Sequence, residues 1–418
     1  MRNRTTVIPN LVIAQRVIDK MIKAASEYIE DETGEAMIGL IVEGENTNGI
    51  PTIYILDTIS PDANAPTEDT VRASYTFQQG DESHYEIFTW LIDNWVIQRE
   101  QYGKSTKPEE AKWDTPLRHV GDWHKQPGYM IAPSGGDLHS ALDQLHDVEN
   151  QMDFLLAPIV TIGHPATTEG GSSVNYVTVP VGDGTAFRVD FWFIHRNSRM
   201  FFPITPVVYP DNQLPKLPKY PWHLTNTDRL QVEQNQLFGE GLFFNILLHA
   251  EDNKAPMDIC FMMARQNLSK MYIIVTDTDY PKSKPQARIA PAMSLSEDQD
   301  LYDLFESLWE QSEIVADPPD WKWTPDTYLI DYIHAIEDML GLRQVEVKTP
   351  PTEADGIGGG EGDSSDGDEA KSSDDAKTST VTDVSAETDT TSTDNDDDED
   401  SEDKHEADEP EETKEEPS

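Results

Sequence analysis

The chain of 418 residues has one cysteine and few cations: 31 Lys and Arg stand against 79 Asp and Glu, a net charge of −48 with histidine neutral. A single thiol, Cys260, excludes a disulfide framework and any cysteine-built zinc site. It lies in the apolar run Ile259-Cys260-Phe261-Met262-Met263, where a buried, inert thiol is expected. The shortage of cations excludes a general nucleic-acid binder, because phosphate contacts need a cationic face. Long apolar runs are missing too. The first apolar stretch, Val7 to Ile18, is broken by Asn10, Gln15 and Arg16, and no run reaches the roughly 18 residues of a membrane span. The expectation is a soluble, cytoplasmic protein with no secretory signal, no membrane partner and no nucleic-acid partner.

A length near 400 suggests at least two domains. The hydrophobic fraction, 37 %, is low, and residues 351–418 account for the dilution. Those 68 residues carry 27 acidic and 4 basic side chains and no Phe, Trp, Tyr, Leu or Met. They have too little apolar surface to offset the entropy of ordering a backbone, so a disordered acidic tail is expected. Its plain use is solubility by self-repulsion; the alternative is a docking segment for a basic partner.

Within the remaining residues, Leu11, Ala14, Ile18, Met21, Ile22, Ala25 and Tyr28 recur at three- and four-residue spacing, which predicts an amphipathic helix ending near Thr33-Gly34. Two apolar runs, Ala36 to Val42 and Ile50 to Ile59, flank a turn-rich segment and predict a hairpin. A helix (Tyr85 to Gln101), a strand (Arg118 to Trp123), a helix (Leu138 to Gln151) and strands at Phe154–Ile162, Tyr176–Val181 and Phe187–His195 follow. A polar loop, Thr167 to Ser173, precedes the last two. The Pro-rich stretch Pro210 to Pro221 is a linker or an ordered extended connection. Beyond it come a helix (Asp228 to Gln236), strands at Leu242–His249, Met257–Met263 and Met271–Thr276, a short fourth strand at Ala287–Ala290, and helices near Leu301–Glu310 and Asp326–Leu340. The fold class is mixed α/β or α+β, with residues 1–206 and 225–345 as two domains joined by a Pro-rich linker, 207–224.

The segment from Gly121 to Asp137, Gly-Asp-Trp-His-Lys-Gln-Pro-Gly-Tyr-Met-Ile-Ala-Pro-Ser-Gly-Gly-Asp, carries the clearest chemical pattern. It resembles the signature of JAMM (MPN, Mov34/JAB-type) metalloproteases: His-x-His, seven residues, then Ser-x-x-Asp. His124 is the first histidine, and Ser134 and Asp137 stand at the family spacing. Upstream, Glu32-Thr33-Gly34-Glu35-Ala36-Met37-Ile38-Gly39 is similar to the family's Glu-Thr-Gly-Gly-x-x-x-Gly, which places the family's catalytic glutamate on Glu32. The resemblance covers the first half of the chain. It implies an MPN (JAB) fold, a mixed sheet flanked by helices, with zinc held by His124 and Asp137, Glu32 as general base and Ser134 as oxyanion donor.

Such chemistry needs these residue types. Neutral imidazoles and a carboxylate leave zinc one position for water, whose pKa falls to about 7. A glutamate moves the proton from that water to the leaving amine, and a hydroxyl donates to the oxyanion. One position departs from the family pattern: Gln126 stands where the second histidine belongs, and a carboxamide oxygen is a weak zinc donor. His119 lies earlier on the strand, and His139 points about 200° around the helix from Asp137, so neither replaces it. Plain readings exist beside these. Ser134-Gly135-Gly136-Asp137 before an apolar helix is a capping box, Glu32 a solvated helix-end residue, and His124 a structural histidine.

In the second half, Tyr280-Pro281-Lys282-Ser283-Lys284-Pro285 after the strand Tyr272–Val275 resembles the Tyr-Pro-x-x-x-Pro turn of the ubiquitin-conjugating-enzyme and RWD superfamily. Trp323-Thr324-Pro325, leading into Ile333, Ile336 and Leu340, is similar to its Trp-x-Pro helix start. The cysteine that the family's transfer chemistry needs belongs between these segments, and none is there. The resemblance therefore implies a module that binds a protein partner and does not transfer one. Each motif alone is also an ordinary turn or amphipathic helix. Together the resemblances imply a zinc-dependent isopeptidase acting on a ubiquitin-like modifier or its conjugates, or, as the alternative, an inactive scaffold of a ubiquitin-like pathway.

Overall fold

The computed structural model describes residues 7–44, 49–61, 70–74, 76–78, 82–148, 150, 152–166, 174–266, 268–293 and 300–342. The acidic tail and the Thr167–Ser173 loop lie outside them. The fold is mixed α/β, with one large mixed sheet, a smaller antiparallel sheet and helices on their faces. Among the described residues no helix is long and apolar enough to cross a membrane.

The first half contributes β1 (Asn10–Ala14), α1 (Gln15–Glu27), β2 (Gly34–Val42), β3 (Thr52–Ile59), a small hairpin of β4 (Val71–Ala73) and β5 (Thr76–Gln78), α2 (Glu82–Gly103) and the single turn α3 (Pro108–Ala111). Next come β6 (Leu117–Lys125), α4 (Gly135–His146), β7 (Phe154–Leu156), β8 (Ile159–Pro165), β9 (Tyr176–Pro180), β10 (Thr185–Asp190), β11 (Trp192–His195), β12 (Phe202–Pro203) and β13 (Pro206–Tyr209). The large sheet runs β12-β11-β7-β6-β2-β3-β1-β13, and β8, β10 and β9 branch from β6. Its centre is β2, seven of whose nine residues are buried; a strand covered on both faces has this near-continuous apolar run.

The predicted first helix begins late. Leu11 to Ala14 form β1, parallel to both β3 and β13, and the helix starts at Gln15. All four of these residues are apolar and buried, so they satisfy the period of either element, and the pairing edges of two neighbours settle the choice. The predicted strands 154–162 and 187–195 each divide in two. Pro158 cannot donate to a ladder, so β7 and β8 separate there and join β6 at different points, Gly121 and His124.

The second half contributes α5 (Trp222–Thr225), α6 (Thr227–Gly239), β14 (Leu242–His249), β15 (Asp258–Arg265), β16 (Lys270–Thr276), β17 (Gln286–Pro291), α7 (Leu301–Gln311), β18 (Glu313–Ile314) and α8 (Leu329–Leu340). The last helix starts three residues after the Asp326 expected. Strands β14 to β18 form an antiparallel meander. Cys260 and Met262 face Leu304, Phe305 and Leu308 of α7, while Phe261 and Met263 belong to the core that holds Ile333 and Ile336 of α8. Helices cover both faces, which explains why β15 is apolar at every interior position.

The Pro-rich stretch is an ordered extended connection. Arg16 donates to the Pro215 carbonyl at 2.7 Å, Trp90 Nε1 to the Lys219 carbonyl at 3.1 Å, and Tyr220 Oη to the Thr58 carbonyl at 3.1 Å. Trp222 then enters the core and donates its indole N–H to Thr276 Oγ1 at 2.9 Å.

Candidate functional site

The site assembles where β2 and β6 pair antiparallel, with Gly34 opposite His124. Two glycines make the approach possible. A Cβ on Gly34 would lie 2.3 Å from the Trp123 carbonyl oxygen and 2.8 Å from Phe77. Gly121 has φ +129° at a bulge in β6, and a Cβ there would sit 2.0 Å from the Leu156 oxygen. The bulge shifts the alternation of β6 before His124.

Around this pairing the structure brings together four of the residues expected from the sequence, His124, Gln126, Ser134 and Asp137, and sets the fifth, Glu32, within reach of the Asp137 charge. His124 is the penultimate residue of β6, with its side chain 18 % exposed, and its Nε2 lies 3.4 Å from Asp137 Oδ1. Two residues on, Gln126 donates its backbone N–H to the Val160 carbonyl at 3.0 Å, which fixes it at the start of the loop to α4. Its side-chain Nε2 donates to Asp137 Oδ2 at 2.9 Å, and its Oε1 is buried with no hydrogen-bond partner. Ser134 is the N-cap of α4: its Oγ accepts from Asp137 N at 3.2 Å, and its own N–H donates to Asp137 Oδ2 at 2.5 Å. The capping box is therefore real, and it also sets the carboxylate of Asp137 toward His124 and Gln126. The hydroxyl accepts in the cap and keeps its O–H to donate elsewhere.

Glu32 precedes β2, and its N–H donates to the Ala73 carbonyl at 2.9 Å. Its carboxyl is held above the ordinary glutamate range by partial burial first, then by the charge of Asp137, with Lys125 opposing both. His124 is held below the usual histidine range by burial, against the pull of Asp137 and Asp122, so its imidazole is neutral at pH 7, the form that binds metals. His119 instead pairs with Asp122 at 2.9 Å, and His139 with Asp143 at 2.7 Å on the exposed face of α4; neither joins the site.

Two supports were not visible in the sequence. The hairpin β4–β5 lies against the Glu32 segment: Arg72 Nε donates to Thr33 Oγ1 at 3.3 Å, and its guanidinium sits 4.3 Å from the Tyr28 ring. Strands of three residues leave no periodic signal long enough to recognise. Lys125, between the two candidate ligands, donates Nζ to the Ile29 carbonyl and its backbone N–H to the Thr33 carbonyl, each at 2.7 Å, which ties the end of β6 to the segment that carries Glu32.

Does this donor set suit a metal ion? Two donors bound to one tetrahedral zinc at about 2.0–2.1 Å stand about 3.4 Å apart, and His124 Nε2 and Asp137 Oδ1 meet that separation. Among the described residues no group of three His, Cys, Asp or Glu side chains is placed to share an ion; the remaining candidate donor beside His124 and Asp137 is Gln126, whose Oε1 is buried with no hydrogen-bond partner. By donor chemistry the three residues fit a divalent cation, with two strong donors and one weak one.

No protein-family model matches the chain. It is similar to a CD-NTase/cGAS isopeptidase of Enterobacter hormaechei subsp. hoffmannii (strain UCI 50), 26 % identical over 175 residues that make up 41 % of this chain and 77 % of that protein.

Proposed function

We propose that residues 1–206 form an MPN-type, metal-dependent isopeptidase of the JAMM kind, acting on a ubiquitin-like modifier or its conjugates. The observation that carries the reading is the convergence of His124, Gln126 and Ser134 on the carboxylate of Asp137, with Glu32 near enough for that charge to raise its carboxyl. The relative named an isopeptidase supports it. His124, Asp137 and Gln126 would hold the ion, zinc in the resembled family. When bound, it lowers the pKa of water to about 7 and polarises the scissile carbonyl.

The chain's own groups do the rest. Glu32, its carboxyl raised by burial and by Asp137, takes the proton of the attacking water and returns it to the departing lysine amine; a raised pKa suits both duties. Ser134 donates its free O–H to the oxyanion, and the cap contact with Asp137 N holds that oxygen in place. The hairpin β4–β5 and Lys125 keep the Glu32 segment in register. In the same proposal, residues 225–345 are a conjugating-enzyme-like module that binds a protein partner; Cys260, wholly buried on β15 and with its thiol pushed up by burial, is no nucleophile.

A second reading has one observation in its favour. The Gln126–Asp137 hydrogen bond satisfies the carboxylate without any ion, as a metal-free scaffold would need. Incubation with isopeptide-linked conjugates separates the two, and a CD-NTase conjugate, the target in the relative's name, is one substrate to try. Glu32→Gln is expected to lower the cleavage rate by about 100-fold or more. Cleavage indifferent to Glu32→Gln, or none by wild type, favours the scaffold.

A further inference from the structure

Gln126 is hard to explain as packing. Its side chain is only 4 % exposed, yet Oε1 has no hydrogen-bond partner. A buried carbonyl left unpaired is destabilising, and such groups in folded proteins call for a reason. The backbone of Gln126 is tied to Val160, and the amide itself is oriented by its bond to Asp137. Its Nε2 is already spent on Asp137 Oδ2, whose sister oxygen faces His124 Nε2. The unpaired Oε1 is thus held within the same small cluster as the two other donors, and the amide carries its own orienting hydrogen bond, as metal-bound groups do.

Resting on the hydrolase reading above, we propose that Gln126 Oε1 is the third metal ligand, and that this one-nitrogen, two-oxygen set holds a divalent cation weakly and separates zinc poorly from harder ions such as Mn2+. Imidazole favours zinc, whereas carboxylate and carbonyl oxygens suit manganese and magnesium. Replacing an imidazole by an amide oxygen therefore removes zinc affinity much faster than manganese affinity. Zinc remains the tighter binder in the general order for divalent ions, with a narrower margin.

The test is direct titration of the full-length, metal-stripped protein with Zn2+ and, separately, Mn2+, followed by calorimetry. Wild type, Gln126→His, Gln126→Glu and His124→Ala are compared, each checked for folding by circular dichroism. Wild type is expected to bind one ion, and His124→Ala none. Gln126→His should tighten zinc by more than about 100-fold, beyond the roughly 10- to 100-fold typical of an outer-shell partner, and manganese by less than about tenfold. Gln126→Glu, which keeps an oxygen donor and adds charge, should tighten both and serves if the histidine variant fails to fold. Equal zinc affinity in wild type and both variants overturns the proposal, as does a wild type that binds neither ion while Gln126→His binds. Metal bound as expected by a wild type that cleaves no conjugate overturns the hydrolase reading and leaves the ligand assignment standing.

Discussion

Asp137 spends both carboxylate oxygens within the site, one facing His124 and one accepting from Gln126 and Ser134. Its negative charge is one of the causes that raise Glu32, so the proposed general base is coupled electrostatically to a proposed ligand. A carboxylate with no such duty behaves differently. Asp258, at the start of β15, is pushed up to about 6 by burial and by the charges of Asp277 and Glu251. Its folded pKa lies above the unfolded one, so the stabilisation it contributes is complete below about pH 4 and is lost as pH rises through about 6. Asp258→Asn is therefore expected to stabilise the protein above pH 6, by about 1–2 kcal/mol once partial solvent exposure is discounted, and to do little at pH 4. Urea unfolding at the two pH values measures the difference.

At the scale of elements, α4 is proposed to do two jobs with one motif. Ser134 caps the helix and also carries the hydroxyl assigned to the oxyanion. Glycine at an N-cap costs only a few tenths of a kcal/mol, whereas loss of an oxyanion donor costs about 100- to 1000-fold in kcat. Ser134→Gly is expected to fall by that factor in turnover with Tm nearly unchanged, and an equal loss of both would mean that the residue only caps. The site's strand-to-helix half was legible in the sequence because His124, Ser134 and Asp137 lie within one short segment whose spacing repeats a known pattern. Glu32 was legible only through resemblance, since a glutamate after a helix has no signal of its own. The supports were not legible: the β4–β5 hairpin is too short for periodicity, and the bulge at Gly121 shows only as one glycine in a strand. The late start of α1 follows from pairing with β3 and β13, which no local window contains. In the second sheet the three long strands were plain, because helices cover both faces and leave unbroken apolar runs.

Across the whole molecule, residues 1–347 form one compact unit. A single apolar core runs from Leu11 and Met37 in the large sheet through Trp90 and Trp222 to Phe261 and Tyr272 in the small one. Hydrogen bonds follow the same route: Asn94 of α2 accepts from Met257 N at 2.7 Å, and Trp222 donates to Thr276. With its ring 4.5 Å from that of Tyr280, Trp222 is a hinge pin between the halves. Trp222→Ala is expected to cost about 3–5 kcal/mol and to lower the protection of both halves together, read by hydrogen exchange in β2 and β15; loss of protection in β15 alone would mean that the halves fold independently. Such a joint core ties the proposed partner-binding module to the sheet that carries His124.

The most direct test of the central claim is the mass of the products after an isopeptide-linked ubiquitin-like conjugate is incubated with the metal-loaded protein. The account expects two species, the modifier with a free C-terminal carboxylate and the target with an unmodified lysine, both absent with Glu32→Gln. An unchanged conjugate, or fragments cut elsewhere and formed equally by Glu32→Gln, would contradict it.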